Sequence, residues 1–139
     1  MIGRANLRRT RAGQSTVEFA AVMTVFLLLT FVTMKLALAV YNYNIVCSAA
    51  REAARYAMVR GPNSPNPATT AQIQQAAIDA APGLSLATGN INVSWVNDPN
   101  LPSRKDVEIQ ISYPYTLSIP FMSSRTLTLS STAQMLAAQ

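Results

Sequence analysis

Seven residues, Gly13-Gln14-Ser15-Thr16-Val17-Glu18-Phe19, open a long apolar run. Arg4, Arg8, Arg9 and Arg11 precede them with no acidic residue in between. A carboxylate at the edge of such a run is costly if the run lies in lipid. Translocon scales give about 2.5–3.5 kcal/mol for Asp at the bilayer centre, falling toward the interface. Glu18 therefore calls for a cationic partner. Gln14 stands one helical turn earlier, so the start of a helix or its dipole is within reach. This is the chemistry of charge pairing, not of turnover. The chain has no histidine and a single cysteine, Cys47. Histidine dyads, zinc sites built from several Cys or His, and an intramolecular disulfide are therefore excluded. No nucleophile motif stands out, so no enzyme activity and no cofactor are expected.

The elements that must position these residues follow from hydropathy. The 139 residues suffice for one domain, half of them are hydrophobic, and 12% are charged against about 25% in soluble domains. Residues 19–40 carry a single charge, Lys35. As a helix they would span about 33 Å, against a hydrocarbon core of about 30 Å. Lys35 lies near the outer end, where its amine can snorkel, and Tyr41 and Tyr43 follow at headgroup depth. The arginines ahead of the span place the N-terminus in the cytoplasm and the remainder outside. The net charge of +5 is local: from residue 14 onward seven basic residues face six acidic ones. Nucleic-acid binding needs a basic stripe on a folded face, and none is evident.

The helix is expected to run on to residue 60. Ala49, Ala50, Ala53, Ala54 and Ala57 recur at helical spacing, and Glu52 lies in reach of Arg55. Gly61-Pro62 ends it and begins a proline-rich linker at 61–68. Thr69 or Thr70 can cap a second helix running to about Ala81, with Ile73, Ala76, Ala77 and Ala80 as its buried stripe. Beyond it the pattern changes to period two. Ile91, Val93 and Trp95 share one face, and Val107, Ile109, Ile111 and Tyr113 another. Leu127 and Leu129 fall in a third strand whose other face is Thr126, Thr128 and Ser130. Pro114 suggests a strand end or an edge. The expected fold class is α+β: a long N-terminal transmembrane-to-periplasmic helix, a second short helix, and a small antiparallel sheet packed on the first helix. The expected organisation is a leader at 1–13, a long helix at 14–60 with its span at about 18–41, a linker at 61–68, and an extracytoplasmic domain at 69–139.

The glycine, the glutamate five residues on, the apolar helix and the basic leader together resemble the processing site of type IV prepilins. Three patches resemble TadE-like proteins of the tight-adherence (Flp pilus assembly) system: Gln14-Ser15-Thr16-Val17-Glu18-Phe19; Ala49-Ala50-Arg51-Glu52-Ala53-Ala54-Arg55-Tyr56-Ala57; and Ser112-Tyr113-Pro114-Tyr115 with Leu127-Thr128-Leu129 and Ala133. The resemblance implies cleavage between Gly13 and Gln14 by a membrane prepilin peptidase. Glycine suits a protease cleft because the backbone can enter it extended with no side chain to clash. It implies that Glu18 pairs with the new α-amino group of a neighbouring subunit and sets the register of the helices. It further implies a minor pilin or pseudopilin of the bacterial inner membrane, acting in pilus assembly and adhesion, since the major pilins of these systems are far shorter. The partners would be the peptidase, other pilin and pseudopilin subunits, the inner-membrane assembly platform and the lipid bilayer, with no nucleic acid and no small-molecule substrate.

Competing readings stand beside these. Arg4, Arg8, Arg9 and Arg11 set membrane orientation in every version. Cys47 reads as a small buried residue of helix packing, or as an intermolecular disulfide partner. Arg51, Glu52 and Arg55 read as a solvated helix face or as subunit contacts. Trp95 reads as core, or with Tyr113 and Tyr115 as an adhesive surface. An unprocessed signal-anchored scaffold or binding protein would keep residues 1–13. An ordinary signal peptide cut at Ala37-Leu38-Ala39 would release the rest, although the apolar run exceeds the usual 7–15 residues.

Overall fold

In the computed structural model the described residues are 7–97, 105–120 and 123–136, with the backbone alone for 7–12. Helix α1 (Leu7–Val59) is one uninterrupted helix of 53 residues. It begins seven residues before the expected start at 14. Its apolar part contains no Gly or Pro, and its hydroxyl-bearing residues are tied back to the helix. Thr24, Thr30 and Thr33 donate to the carbonyls of Ala20, Phe26 and Leu29 at 2.8, 2.9 and 3.0 Å. No hydroxyl of the three is left for lipid to satisfy. Among the described residues this is one helix long and apolar enough to cross a membrane, and its most apolar window lies outside the folded core.

The chain turns after Val59. Ser64 N–H donates to Gly61 O at 3.0 Å and Ala68 N–H to Arg60 O at 2.9 Å, which closes the linker into a loop. Helix α2 (Thr70–Asp79) starts on a capping box. The Thr69 hydroxyl accepts from Gln72 N–H at 3.3 Å, and Gln72 Oε1 accepts from Thr69 N–H at 3.0 Å. Such caps contribute about 1 kcal/mol. Of the expected stripe, Ile73 and Ala77 are buried, while Ala76 and Ala80 are half-buried. Gly83, at φ 83°, makes the turn that follows.

Three antiparallel strands form one sheet in the order β1-β2-β3: β1 (Ile91–Asn97), β2 (Lys105–Leu117) and β3 (Arg125–Leu136). Register runs from Ile91↔Ile111 to Asn97↔Lys105 on one side, and from Asp106↔Leu136 to Leu117↔Arg125 on the other. Strand β1 stops opposite Ile111, so Pro114 lies where β2 has β3 alone as neighbour and its missing N–H breaks no β1 bond. The architecture is α+β, as the sequence pattern predicts.

One sheet face packs on the C-terminal half of α1. Val46, Ala49, Ala50, Ala53, Ala54 and Ala57 lie fully buried in a core that also takes in Ile73, Ala77, Val107, Ile109 and Ile111. Alanines at the contact let the helix backbone approach the sheet closely, and the branched β2 side chains fill the space between. Trp95 and Tyr113 are half-buried at the margin of this core rather than inside it. Gln74 of α2 donates through Nε2 to Ile91 O at 3.0 Å and fastens the second helix to the start of β1.

Candidate functional site

The first cluster lies near the N-terminal end of α1. Residues 13–20 are all exposed and all helical. The Gln14 side-chain amide donates through Nε2 to Glu18 Oε1 at 3.2 Å, the i to i+4 relation expected on one helix face. Among the described residues, a Cβ added at Gly13 would meet nothing within 4 Å. Packing among the described residues therefore gives no reason for glycine there, and in a helix interior it costs about 1 kcal/mol relative to alanine. The site is also helical rather than extended, so a protease would have to unwind it locally, which glycine makes easier. Arg4 lies outside the described residues, as do the side chains of Arg8, Arg9 and Arg11.

The second cluster lies beyond the apolar stretch. Cys47 is a free thiol, half-buried rather than enclosed. Its neighbour one turn back, Tyr43, has its phenol held above the ordinary value, first by a side-chain hydrogen bond with Cys47. Arg51, Glu52 and Arg55 are exposed on the face opposite the alanines. Arg55 Nη1 and Glu52 Oε2 are 3.9 Å apart with 69% and 59% of their side chains exposed, a geometry that contributes little. Sequence reasoning passed over the pair beside them. The Arg60 guanidinium lies 4.6 Å above the Tyr56 ring and also donates to the Tyr56 hydroxyl. Its i, i+4 spacing was the available signal. The two clusters are well apart on one helix: Glu18 and Glu52 are separated by about 50 Å at helical rise.

The third feature is a long-range contact that no local pattern announced. Tyr115, on β2, donates its hydroxyl to Lys35 O at 3.3 Å. Past this point the β2–β3 hairpin continues along the helix toward its N-terminus. Pro120 lines a groove of about 240 Å³ with Thr24, Leu27, Leu28 and Phe31.

Residues 13–55 match the family model described as TadE-like protein. The match, about a third of the 139 residues, opens on Gly13, encloses the apolar stretch and closes on Arg55. The patches at Ser112-Tyr113-Pro114-Tyr115, Leu127-Thr128-Leu129 and Ala133 lie outside it. No curated protein and no solved structure matches the chain. The matched family is pilus-associated and pilin-like, structural rather than enzymatic in kind.

Proposed function

Starting from the match across residues 13–55, we propose that this chain is a minor pilin or pseudopilin of a tight-adherence pilus or secretion system, made as a precursor and processed after Gly13. The observation that carries the reading is Gly13 itself. It sits in a helix interior where glycine is unfavourable, with no neighbour among the described residues that requires it, five residues ahead of an exposed carboxylate. Recognition by a peptidase supplies the reason that packing does not. The arginine-rich leader stays on the cytoplasmic face, and its removal leaves the hydrophobic helix in the inner membrane with the α+β domain outside.

Cleavage converts the amide nitrogen of Gln14 into a free amine. Glu18 is one turn away and already accepts a hydrogen bond from the Gln14 side chain. In a bundle of such helices the amine of one subunit meets the Glu18 carboxylate of the next. Each charge relieves the other in a medium where an isolated charge costs several kcal/mol. The pairing fixes how far one helix slides against its neighbour. The exposed Arg51, Glu52 and Arg55 and the half-open Cys47 then face other subunits outside the membrane. Assembly platform, peptidase and sister pilins are the partners, and adhesion follows from the assembled pilus.

Two substitutions test the mechanism. Gly13→Phe, expressed with the peptidase, should leave full-length precursor in the membrane; normal trimming would remove Gly13 from the account. Glu18→Gln should be trimmed as usual and fail to enter pili, measured as subunit in the sheared surface fraction. Unchanged incorporation would dismiss the charge pairing. A second reading, an unprocessed anchored scaffold, draws support from the unbroken helix through Gly13, and it predicts that residues 1–13 stay attached in both variants.

A further inference from the structure

The hairpin contacts set a length problem. Tyr115 is joined to Lys35, and Pro120 lines one groove with Thr24, Leu27, Leu28 and Phe31. Phe31 is four residues and Thr24 eleven residues before Lys35 on the helix, about 6 and 16 Å at 1.5 Å per residue. The five residues from Tyr115 to Pro120 cover up to about 17 Å when extended, so both descriptions of the depth agree. A bilayer kept clear of the hairpin would have to end before Thr24. That leaves residues 19–24, about 9 Å of helix. Carried back to Ala12, just past Arg11 and with Glu18 enclosed, the stretch is still about 20 Å, well short of a hydrocarbon core of about 30 Å.

We infer that the turn end of the β2–β3 hairpin, residues 117–120, enters the outer leaflet of the bilayer beside α1. Its residues suit that place. Leu117 and Ile119 are half-buried, Pro120 is exposed, and Leu127, paired with Tyr115, is 45% exposed. Backbone groups of the arms are satisfied by the β2–β3 ladder as far as Leu117↔Arg125, which lipid requires. Tyr115 stands at the level of Lys35, a depth at which aromatic rings favour the headgroup region, and Tyr41 and Tyr43 follow about 9 and 12 Å farther along the helix. The tip, about 6–16 Å inward of Lys35, sits in the outer acyl layer, and the bilayer thins around it. The consequence is a fixed depth: the folded domain cannot rise or sink along the helix without moving Leu117, Ile119 and Pro120 through the interface. This rests on the membrane span and not on processing after Gly13, so a chain that keeps its leader leaves it intact.

The test uses the full chain in phosphatidylcholine vesicles, with Cys47→Ser and one new cysteine carrying an environment-sensitive fluorophore. Ile119→Cys and Ser118→Cys are the two tip sites; Ser118 is exposed, so its replacement disturbs no packing. Val25→Cys on the span and Gln110→Cys on the outer sheet face serve as references. Spin-labelled lipids should quench both tip sites severalfold more than Gln110. Val25 lies at the helical level of Pro120, so the lipid label that quenches Val25 best should also quench the two tip sites best. Quenching of the tip by aqueous iodide equal to that at Gln110 would overturn the inference. Shielding from iodide without quenching by any lipid label would also overturn it, in favour of cover by a second copy of the chain.

Discussion

The two halves of α1 are one helix in two solvents. Along residues 17–40 the large side chains are exposed: Phe19, Val22, Phe26, Leu29 and Leu36 each have 61–68% of their surface open. Along residues 46–57 the side chains turned inward are alanines and one valine, and all are fully buried. Lipid accepts large apolar groups wherever they point, because every direction is equally apolar. A sheet packed on a helix accepts only side chains that fit the gap. The helix changes from bulky to small where its side chains enter the folded core against β2 and β3.

Breaking the contrast at its tightest point should cost most. Ile109→Ala removes a fully buried branched side chain facing the alanine stripe and should lower stability by about 2–5 kcal/mol. Chemical unfolding in detergent, followed by Trp95 fluorescence, measures it. Ala53→Leu adds volume where none is free and should cost about 1–3 kcal/mol, while Ala21→Leu on the exposed half should leave the same transition in place. Equal shifts from both would erase the distinction between the two solvents. At the small end, Glu52→Gln removes an exposed pair and should change the midpoint by an amount equivalent to about 0.2–1 kcal/mol or less.

Much of this was legible in the chain itself. The alanine spacing gave the buried stripe, Thr69 or Thr70 gave the start of α2, and the period-two residues gave the inner face of β2. Those signals are local, and local signals survive folding. What stayed hidden depends on how distant parts meet. Alternation tells which face of β2 is inward but not how far the hairpin reaches down α1, so the contact of Tyr115 with Lys35 had no sequence signature. Strand β3 runs to Leu136, past the Leu127–Leu129 alternation, because Ser131, Ala133 and Met135 on its inner face are a weak apolar pattern. Cys47, read as a packing residue or as an intermolecular disulfide partner, is half-buried, since it lies next to the stripe led by Val46 rather than on it. At the N-terminal end, Gly13 and Glu18 were visible as types and spacing. The structure adds that Gly13 has room for a side chain and that Gln14 already touches Glu18.

The central claim is that the chain is a pilin-like precursor, and the mass of the protein recovered from membranes that contain a prepilin peptidase tests it most directly. The account predicts an N-terminus at Gln14, and an intact mass lower than that of the full chain by residues 1–13. A protein still beginning at Met1 under those conditions would contradict it.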